Sequence, residues 1–369
     1  MRLVTDKASL VEALTIAGKA VSLRSSIQVL SGVLLDAVLD GAMLSATDME
    51  ISIRTPLTGR VDEAGSLVLP ARILTDIAKN LPVGREVTIE QRSGESQVEV
   101  RCGESFFLLH SMPAADFPQF PVFPMDARFT VQKAAFLQTI DHVAPSASRD
   151  ETRPVLTGVL IHVSKSSVKM VATDSYRLSV KETSLDASVA DKVQAIVPAR
   201  ALTEISRIGA ATQADTLTIV PTENQILFEI GGVALISRLI DGQFPNYRQL
   251  LPESFDYEVA VDRAEFLEVI RRVGLLAQRN APVRLHFTEN TLTIAAESQD
   301  VGKARESIPV RYSGDDLEIG FNPEFLEAGV AAVNESSVFL KFISPLRPGL
   351  IKGEADDFLY LIMPIRLSD

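Results

Sequence analysis

Ala46-Thr47-Asp48 returns as Ala172-Thr173-Asp174, and Leu69-Pro70-Ala71-Arg72 returns as Val197-Pro198-Ala199-Arg200. Phe117-Pro118 returns in the same way as Phe244-Pro245. The spacing is about 126 residues each time, too long for a solenoid unit and the right size for a domain. A third, fainter copy begins at Phe321-Asn322-Pro323-Glu324-Phe325-Leu326, which opens a helix at the place held by the two Pro-Ala-Arg segments. Three like domains in one chain suggest near-rotational symmetry, an arc or a ring segment.

Each repeat reads as a strand, an amphipathic helix, further strands, a second helix and more strands. The first helix of the first repeat is expected over Lys7 to Ala20, with Leu10, Ala13, Leu14 and Ala17 at helical spacing. The second follows Pro70, with Ile73, Leu74, Ile77 and Ala78 on one face and Leu81-Pro82 as its stop. Helices at Ala134 to Val143, Ala201 to Ile208, Arg263 to Leu276 and Pro323 to Val333 complete two per domain. The rest alternates as antiparallel strands with tight turns at Asp40-Gly41, Thr222-Glu223-Asn224, Gly231-Gly232 and Thr288-Glu289-Asn290. The class is α+β, three similar domains each with two helices packed on antiparallel sheets. Linkers near Phe123-Pro124-Met125-Asp126 and Pro252-Glu253-Ser254 divide the chain into residues 1–125, 126–252 and 253–369.

The 369 residues are 46% apolar and 23% charged, enough to bury ordinary cores. No apolar run is long enough for a membrane span, and Met1 to Lys7 lacks the apolar stretch of a signal peptide. The single cysteine, Cys102, sits in a strand pattern as a small core residue, and a reducing, cytoplasmic location is expected. The net charge of −12 argues at face value against nucleic acid. Binding depends on where charges sit, however. The non-core faces of the helices carry Lys7, Lys19, Arg24, Arg72, Lys79, Lys133, Arg200, Arg207, Arg263, Arg271 and Arg272. Acidic clusters fall in strand and loop segments: Asp62-Glu63, Asp186, Asp191, Asp315-Asp316 and Glu354 to Asp357. Because Glu12, Asp76, Glu204, Glu265 and Glu268 are interleaved with the cations, spacing alone favours a solvated face of mixed charge.

No catalytic constellation assembles. His110, His142, His162 and His286 are too far apart in sequence for a short-spaced metal site, and neither a P-loop nor a dinucleotide fingerprint is present. Thr47-Asp48 and Thr173-Asp174 read better as turn closures, by side-chain to backbone hydrogen bonds, than as acid–base pairs. Neither a cofactor nor a metal is expected. One segment points outward: Leu361-Ile362-Met363-Pro364-Ile365-Arg366-Leu367 is apolar and lies just before the last two residues, and Pro364 places it at a sheet edge or off the sheet. It suits an adaptable peptide groove or a last core strand equally.

Ala172-Thr173-Asp174-Ser175-Tyr176-Arg177-Leu178, Asp241-Gly242-Gln243-Phe244-Pro245-Asn246-Tyr247-Arg248, Phe321 to Leu326, Ser344-Pro345-Leu346-Arg347-Pro348-Gly349 and the terminal Met363-Pro364-Ile365-Arg366-Leu367 together resemble the bacterial DNA polymerase III beta subunits, the DNA sliding clamps. The resemblance spans the whole chain and rests on order, spacing and the threefold repeat. It implies a head-to-tail homodimer closing a six-domain ring around duplex DNA, helices lining the hole and sheets forming the rim. Such a ring slides without sequence specificity and catalyses nothing; it tethers a polymerase. Implied DNA-facing residues are Arg24, Arg72, Lys79, Arg149, Arg153, Arg200 and Arg207. Implied partners are the polymerase III alpha subunit, the clamp-loader delta subunit, and other polymerases and repair proteins with short clamp-binding peptides. Their groove matches Leu156, Thr173, Ser175, Tyr176, Arg177, Leu178, Pro245, Gln249, Leu250, Leu361, Met363, Pro364, Ile365, Arg366 and Leu367, with Pro345 and Arg347 at a second subsite. Pro245 is expected to floor it, with Met363 and Leu367 as apolar walls. Gln249, at a position often basic in relatives, and Ser368-Asp369, beyond the usual terminal Leu, depart from the pattern. Dimer contacts are expected at Phe107, Leu275 and Leu276. A scaffold that never touches DNA is the competing reading, and the acidic net charge suits it.

Overall fold

The computed structural model describes residues 1–22, 25–92, 94, 96–185, 193–277 and 281–367. Six helices occur among them: α1 Lys7–Ala17, α2 Ala71–Asn80, α3 Lys133–Val143, α4 Ala199–Ala211, α5 Arg263–Gly274 and α6 Pro323–Ala331. Each starts within two residues of its sequence expectation. The first expected helix stops three residues early because Gly18–Ala20 tightens into a 3₁₀ turn. α1 buries Leu10, Ala13, Leu14 and Ala17, while α2 buries Ala71, Leu74 and Ala78. Ile73, expected on the core face of α2, is exposed instead, one helical step off that stripe.

The chain separates into two compact units, Met1–Leu137 with Arg200–Leu239, and Gln138–Ala199 with Ile240–Asp369. Each holds an eight-stranded antiparallel sheet. In the first unit Ile51–Leu57 pairs with Val233–Arg238. In the second, Arg177–Ser184 pairs with Phe358–Ile362. The two joins repeat one pattern. Arg238 N donates to Glu50 O at 2.9 Å, and Met363 N donates to Tyr176 O at 2.8 Å. Smaller sheets complete each unit. The five-stranded sheet ends in Ser105–His110, and the four-stranded sheet has Gly302–Pro309 and Leu317–Phe321 as its outer strands.

The Asp40-Gly41 turn forms one residue out of step: Val38 pairs with Gly41, so Leu39-Asp40 is the loop. Gly231-Gly232 lies at φ 56° and 83°, the left-handed pair a two-residue hairpin requires. Cys102 is buried as expected. No helix among the described residues is long and apolar enough to cross a membrane.

Three cations assigned to solvated helix faces do another job. Lys7 Nζ donates to Leu81 O at 2.6 Å and Lys133 Nζ to Thr212 O at 2.7 Å. Arg263 donates to Val330 O and Ala331 O at 3.3 and 3.0 Å. In each repeat the first residue of the first helix therefore caps the C-terminus of the second helix, where a positive charge meets unpaired carbonyls and the negative end of the dipole. The arrangement recurs in all three repeats, and only side-chain reach across the helix pair reveals it.

Candidate functional site

The twin Ala-Thr-Asp segments form twin loops. Thr47 Oγ1 accepts from Met49 N at 3.0 Å, and Thr173 Oγ1 accepts from Ser175 N at 3.1 Å. Asp48 Oδ1 accepts from Glu50 N and Ile51 N, and Asp174 Oδ1 from Tyr176 N and Arg177 N. Met49 and Ser175 take left-handed φ of 76° and 81°. These carboxylates are spent on backbone N–H groups, as the turn reading expected, so they are poor acid–base candidates. Among the described residues no group of three or more His, Cys, Asp or Glu could hold a metal ion.

What the loops present differs. The first carries Glu50 opposite Arg238, and the second carries Tyr176 opposite Met363. Tyr176 is 62% exposed and Met363 43%. Beneath them Leu178 and Leu361 pair across the strands and join a buried cluster with Phe244, Leu350, Ile196 and Leu160, flanked by Val155 and Tyr247. The second loop thus sits on an apolar floor with exposed apolar rims, whereas at the first loop Ser52 stands opposite Ile236 where the second pairs Leu178 with Leu361. Leu156 is half-buried beside Val155; Pro245, Gln249 and Leu250 are exposed just beyond Phe244. Pro345 and Arg347 are exposed on the turn leading to Leu350. Pro364, Ile365 and Leu367 are half-buried and Arg366 is exposed.

Several expectations need correction. Pro245 is exposed, and the buried apolar layer is formed by Phe244, Leu178 and Leu361. In the sequence Phe244 stands out only as part of the repeated Phe-Pro pair, which does not show that its side chain is buried. Thr173 is buried inside the turn. Arg177 points inward: it bonds Asp174 Oδ2 at 3.0 Å and Pro145 O at 2.6 Å, and stacks 4.4 Å from the Phe325 ring centroid. Arg177 therefore holds the loop rather than presenting charge to a ligand. Burial pushes the neighbouring Tyr360 phenol up to about 12, so it stays protonated and donates to Phe325 O at 2.8 Å.

The cationic residues also divide. Arg72 and Lys79, one face of α2, line a cleft of about 310 Å³ with Lys19, Thr15, Thr75 and Asp76 against α1. Arg149 is exposed. Arg200 instead pairs with Asp48 at 2.6 Å and donates to Lys19 O at 3.0 Å. It supplies to the first loop the guanidinium that Arg177 supplies to the second. Arg207 pairs with the largely buried Glu204 at 2.7 Å, and Arg153 with Asp150 at 2.9 Å and Ser175 Oγ at 3.0 Å. Arg271 and Arg272 pair with Glu327 and Glu306. Arg24 and Ser368-Asp369, like Asp186 and Asp191, lie outside the described residues.

Phe107 is half-buried, whereas its neighbours Phe106 and Leu108 face out from the edge strand Ser105–His110 at 51% and 46% exposure. Phe106 to Leu109 is a continuous apolar run, so the sequence does not show which of its residues face out. Leu275 is 81% exposed past the end of α5, while Leu276 packs on the core of its own unit.

Helix pairs on antiparallel sheets, repeated along the chain with one groove-forming loop, define the processivity-clamp class of fold. Family models agree along the chain: the N-terminal, central and C-terminal domains of the DNA polymerase III beta subunit match residues 1–121, 130–246 and 248–366. The chain is 35% identical to the beta sliding clamp of Streptomyces coelicolor and 32% to that of Synechococcus elongatus, each over 100% of both chains. The sliding clamp of Bacillus subtilis superposes with a TM-score of 0.94 at 31% identity, covering 100% of both chains. A Pseudomonas aeruginosa clamp solved with griselimycin bound gives 0.92 at 29%, again over 100% of both. The chain belongs to the DNA polymerase III beta-subunit family, the bacterial sliding clamps.

Proposed function

We propose that two copies close head to tail into a ring around duplex DNA and tether the replicative polymerase without catalysing any step. The domains are residues 1–125, 126–252 and 253–369, and the expected site of action is the cytoplasm. The observation that carries the partner-binding part is the asymmetry of the twin loops: polar Glu50 and Arg238 at one, exposed Tyr176 and Met363 over a buried apolar floor at the other. One peptide groove per chain follows. It would take apolar anchors of the polymerase alpha subunit, the clamp-loader delta subunit, and other polymerases and repair proteins, with Leu156, Ser175, Tyr176, Leu250 and Met363 around the floor and Pro345 and Arg347 at a second subsite.

DNA would meet the α1–α2 face. Arg72, Lys79 and Arg149 are the cations best placed for phosphates, because Arg200, Arg207 and Arg153 are already committed to carboxylates. The acidic balance elsewhere would discourage adhesion outside the hole. On nicked circular DNA the loaded protein should stay bound and should slide off once the circle is linearised; equal retention on both forms would refute the ring. Each lost phosphate contact removes about 0.9 from the slope of log affinity against log salt. Arg72→Ala with Lys79→Ala is therefore expected to lower that slope by roughly two units, and Arg200→Ala by clearly less than one. A double variant with an unchanged slope would remove α2 from the DNA face.

A further inference from the structure

The apolar wall that Met363 gives the groove belongs to a segment fastened at a second point, outside the groove. Met363 N is tied to Tyr176 O at 2.8 Å. Two residues on, Ile365 N donates to Gly320 O at 2.8 Å, an isolated bridge to the outer strand Leu317–Phe321 of the four-stranded sheet. Pro364, which has no N–H, lies between the two bonds, so the tail passes from one sheet to the other at a residue that can donate to neither. Leu367 then lies over Gly320. A Cβ built there would stand 2.6 Å from Leu367 Cδ2, 3.1 Å from Ile365 O and 3.2 Å from Pro282 Cβ. Gly320 is not at a left-handed φ, so glycine serves here for space and not for backbone freedom. A glycine inside a strand that meets another segment this closely marks a built contact.

We propose that Gly320 and Leu367 form a latch that positions the tail, so that Met363 stands ready for the incoming peptide before it arrives. Gly320 and Leu367 are positioning residues, acting through Met363. The inference rests on the groove reading above. Its physical basis is preorganisation: a tail already held in place loses less freedom when the peptide binds.

The test uses the full-length dimer and a fluorescein-labelled synthetic peptide carrying the clamp-binding segment of the same organism's polymerase III alpha subunit. Gly320→Ala is expected to weaken binding about tenfold, a shift of about 1.4 kcal/mol. The amides of Met363 and Ile365 should exchange faster, while the urea midpoint and the dimer stay unchanged. Leu367→Ala should do the same, and the double variant should lose little more than either single one, because both break one contact. Leu367→Ala introduces no clash and carries the test if Gly320→Ala folds poorly. Normal affinity with unchanged amide protection in Leu367→Ala would overturn the latch, as would fully additive losses. A chain lacking residues 363–369 serves as control. If it binds the peptide at full strength, the groove reading itself fails; if it does not bind while the point variants do, only the latch fails.

Discussion

A chain carrying Phe106→Asp and Leu275→Asp is expected to sediment as a monomer at micromolar concentration, where the unaltered protein is expected to be a dimer. Both residues are apolar and largely exposed, at 51% and 81%, which is costly unless something covers them. Phe106 also stands on a sheet edge whose outer N–H and C=O groups have no strand beside them among the described residues, a ready template for another strand. Gly302–Pro309, on the third repeat, is an outer strand with the same property. Edge-to-edge pairing between the first repeat of one copy and the third of another would satisfy both and close the ring by heterologous contacts. Anchors in such interfaces each cost about 2 kcal/mol or more when removed, so the pair is worth nearly a thousandfold in dissociation constant. Sedimentation velocity decides it: a double variant that remains dimeric at low micromolar concentration would move the interface elsewhere. Leu276 should matter less, since its side chain serves the core of its own unit.

Deleting Met363 through Asp369 should weaken polymerase-peptide binding at least thirtyfold and leave the dimer intact. The deletion removes Met363, the exposed wall, together with the two hydrogen bonds that hold the tail. It leaves the floor of Leu178, Leu361 and Phe244 in place, so residual weak binding is the expected remainder. Losing one well-packed anchor costs about 2 kcal/mol, the thirtyfold figure. Tyr176→Ala, on the opposite rim, should lower affinity by a similar factor without altering the tail. A fluorescence titration in which the truncated dimer binds as tightly as the full chain would show that the peptide goes elsewhere.

The two regions differ in how much the sequence disclosed. Helix positions, strand alternation and the threefold repeat were legible because they are local: periods of 3.6 and 2 write themselves into consecutive residues. The Ala-Thr-Asp turns were legible for the same reason, since Asp48 and Asp174 bond backbone groups only two and three residues away. The order of motifs along the chain also marks its resemblance to the sliding clamps.

The charged residues were not legible in this way. A list of cations on helix faces cannot separate Arg72, which lines an open cleft, from Arg200, whose partner Asp48 lies 152 residues away. Nor can it show that Lys7, Lys133 and Arg263 each reach across a helix pair to cap a neighbour. An arginine's charge is fixed by its type, but its role is fixed by the nearest carboxylate or carbonyl, and folding chooses that neighbour over long sequence separations. The phase of Ser105–His110 was hidden similarly, because which alternate residues face out depends on the sheet beneath. Sequence by itself determined the repeat and the fold class, since each rests on local pattern. Only the tertiary structure decided which cations are committed to carboxylates or carbonyls and what Gly320 leaves room for, because these depend on distances between segments remote in the chain.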